Sequence, residues 1–384
     1  MAQKKELSTA RDQIKSGKNL DKAEQSMEAL LKDSSNRSNS KIWLTLIDAI
    51  QKQYDTGNEQ LYLKQKYDTA QLFNLTKQLF LITERFDSVD AAPDEKGRIR
   101  PEYRKKHSEM LGRIRPNLYN GGLFFLKKQK YDDAYSLFNT YIDCINQPLL
   151  RSYNYTQTDS KLSSAAYWAM YCGYKLKDTK ATLHHAYWAL KDTTHYEYIL
   201  QYLAETYKLD KDTTRYLHSL DEGFHKFKKN PYFYTRLVDY YSDNKNINKA
   251  LQYSDEGLEA DSTNKLIRFT KSTLLLNSGK YNECITICNS LLADNDTIAD
   301  IYLNIGLAYY NMAVEMDKNV QRFRKKRDTI IDNYKNAVPY LQKYKALAPD
   351  DKSRWAIPLY TIYLNLNMGK EFDEIDKIMR NKNK

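Results

Sequence analysis

Leu118-Tyr119-Asn120-Gly121-Gly122-Leu123-Phe124-Phe125, followed by Lys130-Tyr131-Asp132-Asp133-Ala134 and then by Phe138 and Tyr141, is the stretch on which the fold turns. Its first half places small residues among large apolar ones at the spacing of one helix face. After a polar turn, a second segment opens on a small residue, Ala134, and continues with large ones four and seven positions on. Two amphipathic helices joined this tightly must lie antiparallel, each burying its apolar stripe on the other.

The pattern recurs. Ala165, Trp168, Ala169 and Cys172 lead to Ala181, His185 and Trp188, while Ala204 and Tyr207 lead less regularly to Tyr216 and Leu220. Tyr234, Leu237, Val238 and Tyr241 precede Ala250 and Ser254; Ser272 and Leu275 precede Gly279-Lys280-Tyr281, Cys284, Cys288 and Leu291. Tyr302, Ile305, Gly306 and Tyr309 open a further unit, completed by Ala337, Leu341, Tyr344 and Pro349. Ala250 to Cys284 is 34 residues, and Ser272 to Gly306 is 34 again. Gly122 lies 12 residues before Ala134, but Gly306 lies 31 before Ala337. About 19 residues near 314–333 are therefore inserted, and because they hold no Gly or Pro they are expected to lengthen two helices.

This register resembles the tetratricopeptide repeat (TPR), whose 34-residue consensus sets Trp, Leu, Gly and Tyr on a first helix and Ala, Phe, Ala and Pro on a second. The likeness covers residues 116 to 379 and, more faintly, the first 85. It implies an all-α, TPR-like α-α superhelix, a right-handed solenoid of antiparallel helix pairs in which each pair stacks on the next. The expected division is 1–100, divergent N-terminal helical repeats, and 101–384, the superhelix with its insertion and a C-terminal capping helix; residues 87 to 101, with Pro93, Gly97 and Pro101, are the expected linker. The runs at 62–70 (Tyr-Leu-Lys-Gln-Lys-Tyr-Asp-Thr-Ala) and 366–376 (Leu-Asn-Met-Gly-Lys-Glu-Phe-Asp-Glu-Ile-Asp) look like those of secreted or periplasmic TPR proteins of Bacteroidota. That resemblance implies a periplasmic or secreted location, with the signal peptide already removed; a cytoplasmic location is the alternative.

Composition agrees with a helical array. The 384 residues include 12 Gly and 8 Pro against 33 Tyr, and the charged fraction is 28%, a mixture poor in turn formers. No window offers the roughly 18 apolar residues of a membrane span, and the mean hydropathy is −0.76. The net charge of +11 is local: residues 98–130 carry +8 and residues 318–327 carry +6, leaving the rest at −3. Arg113, Arg115, Arg322, Arg324 and Arg327 are the basic-patch residues able to grip phosphate in a bidentate manner.

Chemistry finds no foothold. The sequence lacks phosphate-binding glycine loops, a nucleophile elbow and a His-Glu-x-x-His pair, so no catalytic, cofactor-binding or metal-ligating residue and no cofactor is expected. Cys284 and Cys288, one turn apart, read as small buried hydrophobes. In the TPR register, the groove-facing positions of the first helices fall on Tyr119, Leu123, Met170, Tyr174, Tyr232, Phe269, Leu303 and Tyr310, an aromatic and aliphatic lining that suits a protein or peptide ligand. The Lys and Asn of the carboxylate clamp used by chaperone-tail receptors are missing, since those places hold Tyr119 and Leu123, Ala166 and Met170, Thr235 and Asp239. The expected function is thus a non-enzymatic binding scaffold in a bacterial envelope. The alternative is a polyanion binder acting through the two basic patches, with nucleic acid disfavoured for want of a recognition motif.

Overall fold

Every regular element among the described residues of the computed structural model, which are 2–294, 297–318 and 327–380, is an α-helix or a short 3-10 turn. The chain divides into two units, Met1–Ser219 and Leu220–Lys384. The first holds α1 (Ala2–Ser16), α2 (Leu20–Lys32), α3 (Ser40–Tyr62), α4 (Thr69–Asp90), α5 (Arg104–Ile114), α6 (Pro116–Lys127), α7 (Tyr131–Asp143), α8 (Tyr155–Thr158), α9 (Leu162–Leu176), α10 (Thr179–His184), α11 (Ala186–Ala189) and α12 (Tyr196–Leu209). The division falls within α13 (Thr213–Lys226). The second unit continues with α14 (Pro231–Asp243), α15 (Ile247–Ala260), α16 (Lys265–Asn277), α17 (Tyr281–Asp294), α18 (Ala299–Lys318), α19 (Arg327–Leu347), α20 (Lys352–Asn365) and α21 (Gly369–Arg380).

Packing follows chain order. In the first unit α1 to α4 pack each on the next, as do α6 on α7 and α7 on α9; in the second unit the same holds from α14 through α21. Contacts between sequence neighbours are the mark of a repeat array, because no single pair can bury its own stripe. Ile42, Leu46, Phe80, Phe86, Phe138 and Met170 are almost fully enclosed in one cluster of the first unit, and Leu303, Leu341, Leu359 and Ile362 in a cluster formed by α18 to α21 of the second. All four cysteines are free and buried, so Cys284 and Cys288 pack as the small apolar residues their spacing predicts.

The turns repeat more faithfully than the side chains. Lys177, Lys211, Lys245 and Gly279 follow α9, α12, α14 and α16, each 34 residues after the last, and all have positive φ, at 57, 59, 58 and 78°. In each turn the next amide reaches back five residues, as Asp178 N to Gly173 O (3.0 Å) and Asn246 N to Tyr241 O (2.8 Å), while the positive-φ residue bonds three back. This is the Schellman closure, which satisfies carbonyls that a helix end leaves orphaned. Only Gly279 enters the left-handed region without steric cost; Lys245 does so at the expense of a Cβ clash. Lys245→Gly is therefore expected to stabilise the second unit by about 0.5–1 kcal/mol after the added freedom of the unfolded chain is counted. A chemical melt showing a loss of stability would refute this account of the turn.

The segment expected as a linker, 87–101, begins inside α4 and continues as an irregular stretch to residue 103. It lies within the first unit and is tied down. Arg104 grips the buried Asp87 through Nε and Nη2, both at 2.8 Å, and Asp94 accepts from the amide of Arg98 at 2.9 Å. The inserted residues lengthen their helices: α18 has 20 residues and α19 has 21, against 13 and 14 for α16 and α17. The extensions pack on each other, Ala313 and Tyr334 being buried. The last described helix, α21, buries Ile375, packs Phe372, Ile378 and Met379 partly against the core and carries charged residues on its other side. No helix among the described residues is long and apolar enough to cross a membrane.

Candidate protein-binding face

The first unit concentrates aromatic side chains where α9 meets α12. Trp168, Tyr171 and Tyr174 recur at intervals of three along α9, so a single stripe carries all of them. Tyr202 of α12 inserts between turns of that stripe, stacking on Tyr174 at 4.6 Å and 27° and lying 5.8 Å from Tyr171. Tyr131, at the start of α7, meets Tyr171 edge-on at 6.0 Å, and Trp168 meets it at 89°. All five rings are half-buried: packed enough to be held, open enough to be touched.

Beneath them lies a fixed base. The buried carboxylate of Asp192 accepts from the amides of Thr194 (2.9 Å) and His195 (3.1 Å) and from His195 Nδ1 (3.0 Å). So held, the His195 ring stacks on buried Tyr167 at 4.0 Å and 7°. The Tyr167 and Tyr202 phenols are hydrogen-bonded, and burial followed by this neighbour drives the Tyr202 pKa well above that of a free phenol. Burial likewise raises Tyr171, although Lys175, 5.4 Å from its ring centre, pulls the other way. At neutral pH the face therefore offers neutral phenols, which join large apolar contact area to hydrogen-bonding capacity and lose little rotamer entropy on binding.

Of the residues expected to line a groove, Tyr119, Leu123, Tyr174, Tyr232, Phe269 and Tyr310 are half-buried. Tyr119 is already engaged, sharing a hydrogen bond with Ser164 Oγ at 3.1 Å and lying edge-on to Phe138. Met170 and Leu303 are corrections. Both are 0% exposed, because each lies inside a cluster of buried side chains supplied by neighbouring helices. Trp168, Tyr171, Tyr202 and Tyr131 were not marked by the groove register; the 168-171-174 spacing is the signal that could have found the first two, while Tyr202 and Tyr131 come to them only through the fold.

The basic patch is reduced as well. Arg115 is a correction: only 4% exposed, it meets Asp159 Oδ2 at 2.7 Å inside the unit and cannot reach an outside phosphate. Arg98 and Arg104 are paired with Asp94 and Asp87. Arg113 and Arg327 are exposed; Arg322 and Arg324 lie outside the described residues.

No family model matches the chain, and no curated protein matches it. Among solved structures, it is similar to the C-terminal part of a TPR repeat-containing protein from Cytophaga hutchinsonii, at 12% identity and a TM-score of 0.46 over 67% of this chain and 93% of that one. It is also similar to PilW, a type IV pilus biogenesis factor (14%, TM-score 0.36, 58% and 93%), and to YrrB, a TPR protein with an unusual peptide-binding site (14%, TM-score 0.25, 65% and 94%). The chain resembles tetratricopeptide-repeat proteins. At these identities and TM-scores the likeness carries no argument about function, and what the face binds must be argued from its own residues.

Proposed function

We propose that this chain is a non-enzymatic scaffold that binds a protein or peptide segment through the tyrosine face of α9 and α12, in a bacterial cell envelope. One observation carries the reading: Trp168, Tyr171, Tyr174 and Tyr202 form a braced aromatic cluster that remains half-open to solvent, the composition and rigidity of a binding hot spot. For the second unit, taken by itself, the half-buried Tyr232, Phe269 and Tyr310 are proposed as partner contacts of its own. The envelope location is supported by the likeness of the 62–70 and 366–376 runs to secreted TPR proteins.

Peptides selected from a displayed library against the full chain provide the test. Tyr171→Ala and Tyr174→Ala are each expected to weaken the selected peptide by about 1–3 kcal/mol, with the effect persisting at high salt because little charge is involved. Binding that collapses at high salt, ignores both substitutions and falls with Arg113→Glu would instead establish the polyanion reading.

A further inference from the structure

Asp143, His184 and His185 come together although 41 residues separate the first two in sequence. Asp143 is the last residue of α7 and His184 the last of α10. In an unbroken helix adjacent residues point about 100° apart. Here the backbone leaves helical geometry at His185 (φ −109°, ψ 20°), and the two rings lie 4.3 Å apart and face one carboxylate. His184 Nε2 is 3.7 Å and His185 Nε2 3.9 Å from Asp143 Oδ1. A tetrahedral ion held at about 2.0–2.1 Å by such ligands sets them roughly 3.4 Å apart, and the three ligand atoms lie within 4.8 Å of one another, a gap that side-chain rotation can close.

The surroundings favour a cation. Asn139 bridges two of the groups, its Oδ1 lying 3.0 Å from His185 Nε2 and its Nδ2 donating to Asp143 Oδ2 at 2.7 Å, which holds ring and carboxylate side by side in the metal-free chain; an ion must take Nε2 from it. The 13-residue α7 directs the negative end of its dipole at the cluster. Elsewhere in the first unit, Glu84 Oε1 is buried with no hydrogen-bond partner.

We propose that Asp143 Oδ1, His184 Nε2 and His185 Nε2 form a three-ligand site for a divalent transition-metal ion of the zinc class. The exposed side, where His184 and Asp143 are 52% and 44% open, leaves the fourth position to water. On binding, the proton that His185 Nε2 shares with Asn139 moves through solvent to Nδ1, and the Nε2 lone pair turns to the metal. The ion ties the end of α7 to the break between α10 and α11, a structural clamp that is independent of what the tyrosine face binds.

Titration of the full chain with Zn2+ by calorimetry, and with Co2+ by visible absorption, tests this. One equivalent should bind, with the absorption of a four-coordinate nitrogen and oxygen site. His184→Ala and Asp143→Asn, both at partly exposed positions and checked for an unchanged helical spectrum, should each weaken binding by about ten-fold or more. Absence of stoichiometric binding, affinity indifferent to both substitutions, or a thiolate charge-transfer band indicating the cysteines would each overturn the site.

Discussion

Asp159→Asn is expected to destabilise the first unit by about 3–5 kcal/mol, the cost of leaving a buried charge without its partner. Arg115 is the group left stranded. Its guanidinium lies flat between Tyr141 and Tyr155, 3.7 and 3.9 Å from the ring centres, donates from Nη2 to Tyr141 O at 3.0 Å, and reaches Cys144 Sγ from Nε at 3.4 Å. Among the described residues Asp159 supplies the only counter-charge in contact, at 2.7 Å from Nη1. The N–H does not point along that line, since Asp159 Oδ2 has no aligned donor, so Coulomb attraction at low dielectric carries the contact. Burial meanwhile pushes the Cys144 thiol up to about 12, despite Arg115 beside it, and a neutral thiol cannot replace the carboxylate. Asn keeps the shape and removes the charge. Trp43, Trp168 and Trp188, three of the four tryptophans, belong to this unit, so fluorescence during guanidinium unfolding reports on it. A loss below about 1 kcal/mol would show that water reaches Arg115. Replacing both ions together, Arg115→Met with Asp159→Leu, should recover much of the loss, because the penalty arises from the unpaired charge rather than from the missing pair.

The period of the array was legible in sequence because packing imposes it: Ala250, Cys284, Ser272 and Gly306 occupy places where only small side chains fit, and all four are buried. The insertion was legible for the same reason, as a break in that spacing. Turn geometry was not. Lys177, Lys211 and Lys245 stand where glycine would be read as a helix stop, and a lysine gives no local sign of its left-handed backbone. Accessibility was legible only in part, since Tyr174 and Met170 share a helix and a register, yet α12 leaves one half-open while the other is sealed. Arg115 looked like one cation among ten between 98 and 130; only the tertiary fold brings Asp159 to it. The same holds for Asp143, His184 and His185, whose meeting depends on a helix break that no residue type announces.

The second large effect follows from how closely α10 approaches α9. A Cβ at Gly173 would lie 2.5 Å from the backbone nitrogen of Thr182 and 2.8 Å from the carbonyl carbon of Ala181. Backbone cannot rotate aside as a side chain does, and this backbone is anchored: Asp178 Oδ1 accepts from Ala181 N at 3.0 Å and Asp178 O accepts from Thr182 N at 2.9 Å. Gly173→Ala must therefore displace the start of α10 and break its cap. The expected cost is about 3 kcal/mol, the upper end for an added methyl in a tight interface, reduced by less than about 1 kcal/mol of helix propensity gained in α9. Gly112 in α5 provides the control. There the added methyl would meet the end of the Tyr153 side chain, Cζ at 2.6 Å, a flexible group that can shift by loosening its 3.3 Å hydrogen bond to Ser108 O and its stacking on Tyr155. Gly112→Ala should stay within about 1 kcal/mol of wild type. If Gly173→Ala melts no earlier than Gly112→Ala, α9 and α10 are not in backbone contact. The aromatic stripe that α9 presents would then lack the rigid support on which the binding proposal depends.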